Sequence, residues 1–133
     1  MAQSALRVVF APDSFKGSIP AGAAAAALAE GWLAARPGDE VRAIPQADGG
    51  EGTLQALARA VPGARLVGRW RTASDGPGIG PWLELPDGTA VVELAACCGF
   101  ALHSPLAPLH ASAFPLGATI ARALDAGAHR IVV

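Results

Sequence analysis

The 133 residues suit one domain or part of one, and 52% hydrophobic against 16% charged residues excludes the composition of a disordered chain. A formal net charge of −1 without a basic run excludes the footprint of a nucleic-acid binder. AGAAAAALAEGWLAA carries Glu30 and is too short to span a bilayer, and LRVVFA lacks the length and basic lead-in of a signal peptide.

In chain order, LRVVFA (Leu6 to Ala11) is a short apolar run rich in β-branched residues and closed by Pro12, which predicts a buried parallel strand. The loop PDSFKGS follows. A helix is predicted from about Ile19 to Ala35, with Ser18 as N-cap, Pro20 in the first turn, and Ala24, Leu28, Trp32 and Ala35 facing the sheet. Pro37–Gly38 ends it. EVRAIP (Glu40 to Pro45) predicts a second strand, QADGGEGT a loop, and Glu51 to Ala60 a second helix. Strand, helix, strand, helix with short links implies a parallel sheet with right-handed crossovers.

The pattern changes after Pro62. ARLVGRW is strand-like, TASDGPGIGP is a polar glycine–proline loop, and WLEL–PDGT–AVVEL predicts a hairpin. ATIARALDAG predicts a helix with Gly127 at its C′ position, and HRIVV a buried-type strand. The expected fold is therefore α/β: a parallel, Rossmann- or flavodoxin-like sheet interrupted by an antiparallel, hairpin-bearing second subdomain. Residues 1–63 would begin the parallel domain, 64–108 would start the second subdomain, and 109–133 would return toward the first. The chain stops on a strand, without the ligand-binding loop that follows strands in open α/β sheets, so an incomplete fold is expected.

Two loops carry candidate chemistry. In PDSFKGS, Lys16 can offer a point charge to phosphate or carboxylate, and Ser14, Ser18 and nearby main-chain N–H groups can donate to the same anion. Asp13 at the end of the strand can accept a proton or hold a metal through water. Lys16 precedes the only glycine of the loop, so this is not a Walker A sequence. In QADGGEGT, Asp48 and Glu51 match a capping box, and a cap alone explains both. A cap does not ask for Gly49–Gly50, which suggests a close backbone approach or unusual dihedral angles. Both loops are expected on one sheet edge, where Asp13, Lys16, Asp48 and Glu51 could converge for metal-assisted phosphoryl transfer. One carboxylate would take a hydroxyl proton, another would help hold Mg²⁺, and Lys16 would offset phosphate charge.

Other features read as structural. DGPGIG (Asp75 to Gly80) precedes a hairpin and not a helix, so it predicts a hinge or surface turn. His103, His110 and His129 lack ligand spacing. Cys97–Cys98 has no C-x-x-C spacing and is expected in a strand as buried, reduced thiols, which suits the cytoplasm.

LRVVFAPDSFKGSIPAGAAAAALAEG, IPQADGGEGT and LPDGTAVVELAACCGFAL together resemble the amino-terminal part of the bacterial type-1 glycerate kinase family, over nearly the whole chain. APDSFKGS and ADGGEGT, in this order and spacing, are specific together. The resemblance implies ATP-dependent, Mg²⁺-assisted phosphorylation of D-glycerate to 2-phosphoglycerate or 3-phosphoglycerate. It also implies two α/β domains flanking a cleft, the first discontinuous in sequence. Asp13, Ser14, Lys16 and Asp48 to Glu51 match family motifs and become cleft candidates. Asp13, Lys16 and Asp48 are assigned to catalysis, Ser14, Gly49, Gly50 and Glu51 to substrate, and Asp48 and Glu51 to the metal. The expected partners are glycerate and ATP, with neither nucleic acid nor membrane. No residue pattern speaks to oligomeric state.

Family members are longer. After the strand matching HRIVV they continue into a glycine–serine-rich loop and an Asn/Thr–Asp–Gly–Gly stretch. Cys98 stands where the family has a small residue or serine, and Pro115 in SAFPLGATI removes a main-chain donor near the following helix. The alternatives are a non-catalytic truncated remnant or weak anion-binding module, and an unrelated Rossmann-like enzyme. The last would need a nucleotide glycine loop after the first strand, which PDSFKGS is not.

Overall fold

The valines of RVVF favour an extended chain, and Pro12 has no N–H to donate to a ladder. In the computed structural model, which describes residues 4–103, 105–106 and 108–133, strand β1 spans Arg7–Phe10. Helix α1 (Ala21–Ala35) follows, then strand β2 (Glu40–Ala43), parallel to β1 with Val8 opposite Val41. Six alanines in the first seven positions favour the helix. Its N-cap is Pro20, in extended conformation and without a side-chain cap. Ser18 is therefore not the cap; its hydroxyl donates to the Phe15 carbonyl at 3.0 Å. Ala24 is buried and Trp32 half-buried, packed edge-on with Phe10 at a ring-centroid separation of 6.1 Å, whereas Leu28 and Ala35 are exposed. The apolar stripe predicted on this helix is half realised, because a two-stranded sheet covers only part of it.

One carboxylate ties the unit together. Asp39, just before β2, accepts from the Leu6 main-chain N–H (3.0 Å), the Trp32 indole N–H (2.9 Å) and the Arg36 guanidinium (2.6 and 3.1 Å). This fixes the start of β1, the end of α1 and the start of β2 to each other. The guanidinium, with the Leu6 N–H, holds the Asp39 carboxyl well below the usual carboxylate range.

The chain divides into two units, one up to Asp48 and one from Gly49 to Val133. The second unit begins with helix α2 (Thr53–Ala60) and strand β3 (Arg65–Val67). Strands β4 (Trp82–Glu84) and β5 (Thr89–Val92) form the expected hairpin. At its turn Gly88 takes φ +77° and Asp87 accepts the Thr89 N–H at 3.0 Å. Helix α3 (Leu94–Cys98), two short 3₁₀ turns, helix α4 (Phe114–Asp125) and strand β6 (Arg130–Val132) complete it. Gly127, at φ +104°, closes α4 at the predicted position.

Two expectations change here. Strand β6 was expected to return toward the first domain, but it pairs in parallel with β5, giving the sheet order β3-β4-β5-β6. The cysteines lie on a helix and not a strand, with Cys97 buried and Cys98 half-buried. Side-chain alternation on the central strands builds two layers of core. Leu83 and Val91 pack with Leu54 of α2, while Trp82, Ala90 and Val92 pack with Cys97 and Ala123 of α4. Among the described residues no helix is long and apolar enough to cross a membrane.

Candidate functional site

In the first unit, the pairing of β1 with β2 continues past the strands. Ile44 N–H donates to the Phe10 carbonyl at 2.8 Å and Gln46 N–H to the Pro12 carbonyl at 2.9 Å. The two loops therefore leave the same sheet edge side by side, at the carboxyl ends of parallel strands, where open α/β sheets bind ligands. Asp13 follows Pro12 directly, and Asp48 lies two residues beyond Gln46. Both carboxylates are exposed.

PDSFKGS is a closed turn. Phe15 and Ile19 form a β-bridge, the Ser18 N–H donates to the Phe15 carbonyl at 2.9 Å, and Gly17 adopts φ +78°, which a residue with a side chain rarely takes. Lys16 sits exposed in this turn. The Asp13 carboxylate accepts the N–H of the half-buried Ser14 at 2.6 Å, which points it along its own loop. An acid, a hydroxyl and an ammonium thus share one short, ordered loop.

In the second unit, Gly49 and Gly52 take φ +97° and +95°. A Cβ at either would meet nothing within 4 Å, so the glycines answer a backbone conformation and not a crowded approach. Gly50 is outside the left-handed region; its carbonyl accepts the Thr53 hydroxyl at 2.8 Å. The predicted capping box is overturned. The N-cap of α2 is Gly52, with no cap from a local side chain, and the helix starts two residues later than expected.

The cap comes from elsewhere, and sequence reasoning missed it. Glu93, one residue past β5, accepts the Leu54 main-chain N–H at 3.1 Å through Oε2. Glu93 is only 4% exposed. Burial pushes its carboxyl above the usual range, more strongly than the N–H groups of Leu54, Gly52 and Thr53 lower it, and the charge of Glu51 adds to the rise. An acid directly after a fully buried strand is the one signal in VVELAA that could have marked it.

The DGPGIG stretch is a held turn and not a hinge. Asp75 accepts both prongs of Arg69 (2.8 and 3.1 Å) and the Thr72 N–H (2.9 Å). Arg71 donates to the carbonyls of Gly76 and Asp75 at 2.7 and 2.8 Å. A Cβ at Gly78 would lie 2.5 Å from the Arg71 guanidinium carbon. The Gly80 N–H donates to the buried hydroxyl of Thr119 at 3.0 Å, which anchors the loop to α4. Pro115 falls in the first turn of α4, where its missing N–H needs no helical partner. Burial pushes the Cys98 thiol up, away from thiolate chemistry.

The glycerate kinase family model matches residues 8–133. The chain is 39% identical over 132 residues to a glycerate kinase of Bacillus subtilis (strain 168), covering 96% of this chain and 34% of that protein. It is 35% identical over 132 residues to a glycerate 2-kinase of Escherichia coli (strain K12), again covering 96% and 34%. A crystal structure assigned as glycerate kinase 2 from Salmonella typhimurium LT2 superposes with a TM-score of 0.64 at 31% identity, over 96% of this chain and 35% of that one. The chain thus spans about a third of the length of the curated relatives it matches. A match running from Val8 to the last residue, through both loops and the hairpin, shows that the chain belongs to the glycerate kinase family.

Proposed function

We propose that the chain supplies the amino-terminal part of an enzyme that transfers the γ-phosphoryl group of ATP to D-glycerate, giving 2-phosphoglycerate or 3-phosphoglycerate. The observation that carries this is the pairing of the PDSFKGS loop with the Asp48 loop on one sheet edge, in a chain that the family matches over residues 8–133.

Phosphoryl transfer asks a protein for positioning and charge more than for covalent chemistry. Lys16 places a positive charge for the phosphate oxygens. Ser14 donates to the same anion. Asp13 or Asp48 accepts the proton of the attacking glycerate hydroxyl. Gly49, Gly50 and Glu51, which follow Asp48 directly in the chain, are assigned to the substrate.

Among the described residues no three His, Cys, Asp or Glu side chains cluster as an all-protein metal cage. A carboxylate or two, with phosphate oxygens and water, is the hard donor set that Mg²⁺ takes in kinases, and Asp48 and Glu51 would supply the carboxylates. When bound, the ion neutralises charge on the transferring phosphate. Free thiols at Cys97 and Cys98 suit the reducing cytoplasm as the setting.

The test is a coupled ADP-release assay on a chain extended to the length of its relatives. Glycerate-dependent turnover is expected, and its absence in a folded protein would end the proposal. Lys16→Ala and Asp48→Asn should each lower kcat at least tenfold, about 1.4 kcal/mol of transition-state stabilisation. Unchanged kinetics would remove that residue from the machinery.

A further inference from the structure

The first turn of an α-helix carries main-chain N–H groups with no partner inside the helix. Sequences usually meet this need locally, with Ser, Thr, Asp or Asn at the N-cap. Helix α2 has Gly52 there, in the left-handed region, although Asp48 and Glu51 both lie close by in sequence. Its Leu54 N–H goes instead to a carboxyl 39 residues away. Burying a carboxyl costs free energy that a surface cap would not. The arrangement therefore does something that a local cap would not do.

Its mounting shows what. Glu93 directly follows β5, which is buried along its whole length and paired on both sides, with β4 and β6. The Leu54 side chain packs against Leu83 and Val91 of the same sheet. The start of α2 is thus tied to the sheet through both its main chain and its apolar side chain. The segment before it, Gly49–Gly50–Glu51–Gly52, holds two residues at positive φ and has the most permissive backbone available to a turn. Left to itself, such a segment samples many conformations, and a ligand would have to order it at the expense of affinity.

We propose that Glu93 is a positioning residue: by accepting main-chain N–H groups at the start of α2 it presets the Gly49–Gly50–Glu51–Gly52 turn for substrate. The consequence for substrate rests on the reading of this turn as part of the phosphoryl-transfer site; the anchoring itself does not. Glu93 is not a catalytic residue, since it is buried and spends its oxygen on the helix.

Two readouts separate these layers. In the present chain, residue-resolved amide hydrogen exchange is compared for wild type, Glu93→Ala and Glu93→Gln. Glu93→Ala should speed exchange at Leu54 at least tenfold while Leu83 and Val91 stay protected. Glu93→Gln should largely restore protection, because its carbonyl can accept at the same length. It also keeps the test informative if the alanine variant does not fold. Unchanged Leu54 exchange in the folded alanine variant, or a glutamine variant as unprotected as alanine, overturns the proposal whether or not the enzyme turns over glycerate. In the extended chain, Glu93→Ala should raise the KM for glycerate at least tenfold with kcat within about twofold, and Glu93→Gln should rescue it. An unchanged KM, or a loss confined to kcat, overturns the positioning role. Absence of turnover in wild type removes the proposed function instead, and the exchange result still decides the anchor.

Discussion

The first unit is a parallel strand–helix–strand piece and the second a mixed four-stranded sheet with helices, and each is held together internally by different forces. Among the described residues up to Asp48 the buried hydrophobic side chains are alanines, Ala21, Ala24 and Ala25, while Val9, Leu28 and Ile44 stay exposed. Shape there depends on the polar knot at Asp39, whose side chain is 3% exposed. From Gly49 onward, Leu54, Trp82, Leu83, Val91, Val92 and Ala123 fill both faces of a four-stranded sheet. Burial of apolar side chains is the main favourable term in folding, and the four-stranded sheet buries larger ones than the two-stranded sheet does. The contrast teaches that the unit carrying the acid–serine–lysine loop is the softer scaffold. Its loops are held by hydrogen bonds and not by a core.

The largest effect expected from that contrast is on Leu83. It is fully buried between Leu54 and Val91, and Leu83→Ala should destabilise the second unit by about 2–5 kcal/mol in denaturant unfolding. A loss under about 1 kcal/mol would mean that this core is not what holds the unit. Next comes pH, where Asp39 of the first unit and Glu93 of the second should contribute with opposite signs. Asp39 has a lowered native pKa, so its contribution is complete above the ordinary carboxylate range and fades as pH falls through it and below. Glu93 has a raised native pKa, so the folded state retains its proton longer and stability declines as pH rises from the ordinary range toward the raised value. Asp75 and Asp87, also lowered, share the sign of Asp39. The Glu93 contribution is therefore read as wild type minus Glu93→Gln across pH. Residue-resolved unfolding should show Asp39→Asn flattening the acid limb of the first unit and Glu93→Gln flattening the opposing limb of the second. Matching slopes in wild type and variant would refute either assignment. The smallest effect belongs to Leu28, 45% exposed on α1, where Leu28→Ala should cost under about 1 kcal/mol. A loss comparable to Leu83→Ala would show that the first unit has a core after all.

Much of the fold was legible because it is local. Val8–Val9, the alanine run, Pro37–Gly38 and the Pro86–Asp87–Gly88 turn each decide their own dihedral angles, so β1, α1, β2 and the hairpin fall near their predicted places. In the candidate site, the loop after β1 and Asp48 after β2 follow from strand order alone. The capping box was misread for the same reason: Asp48-x-x-Glu51 satisfies a local rule, but two left-handed glycines turn the chain so that neither acid is the cap. Cys97–Cys98 was misplaced on a strand because a short helix such as Leu94–Cys98 leaves almost no periodicity to detect.

What the sequence determined by itself was therefore the identity of the loops: which residues follow which strand, and the motifs that mark the family. Tertiary structure alone decided that β6 joins β5, that the DGPGIG turn is locked by Arg69, Arg71 and Thr119, and that Glu93 holds the start of α2. The physical reason is range. Propensities, caps and turns are settled within a few residues, whereas a buried carboxyl finds its N–H partner across 39 residues, and only once the sheet between them has formed.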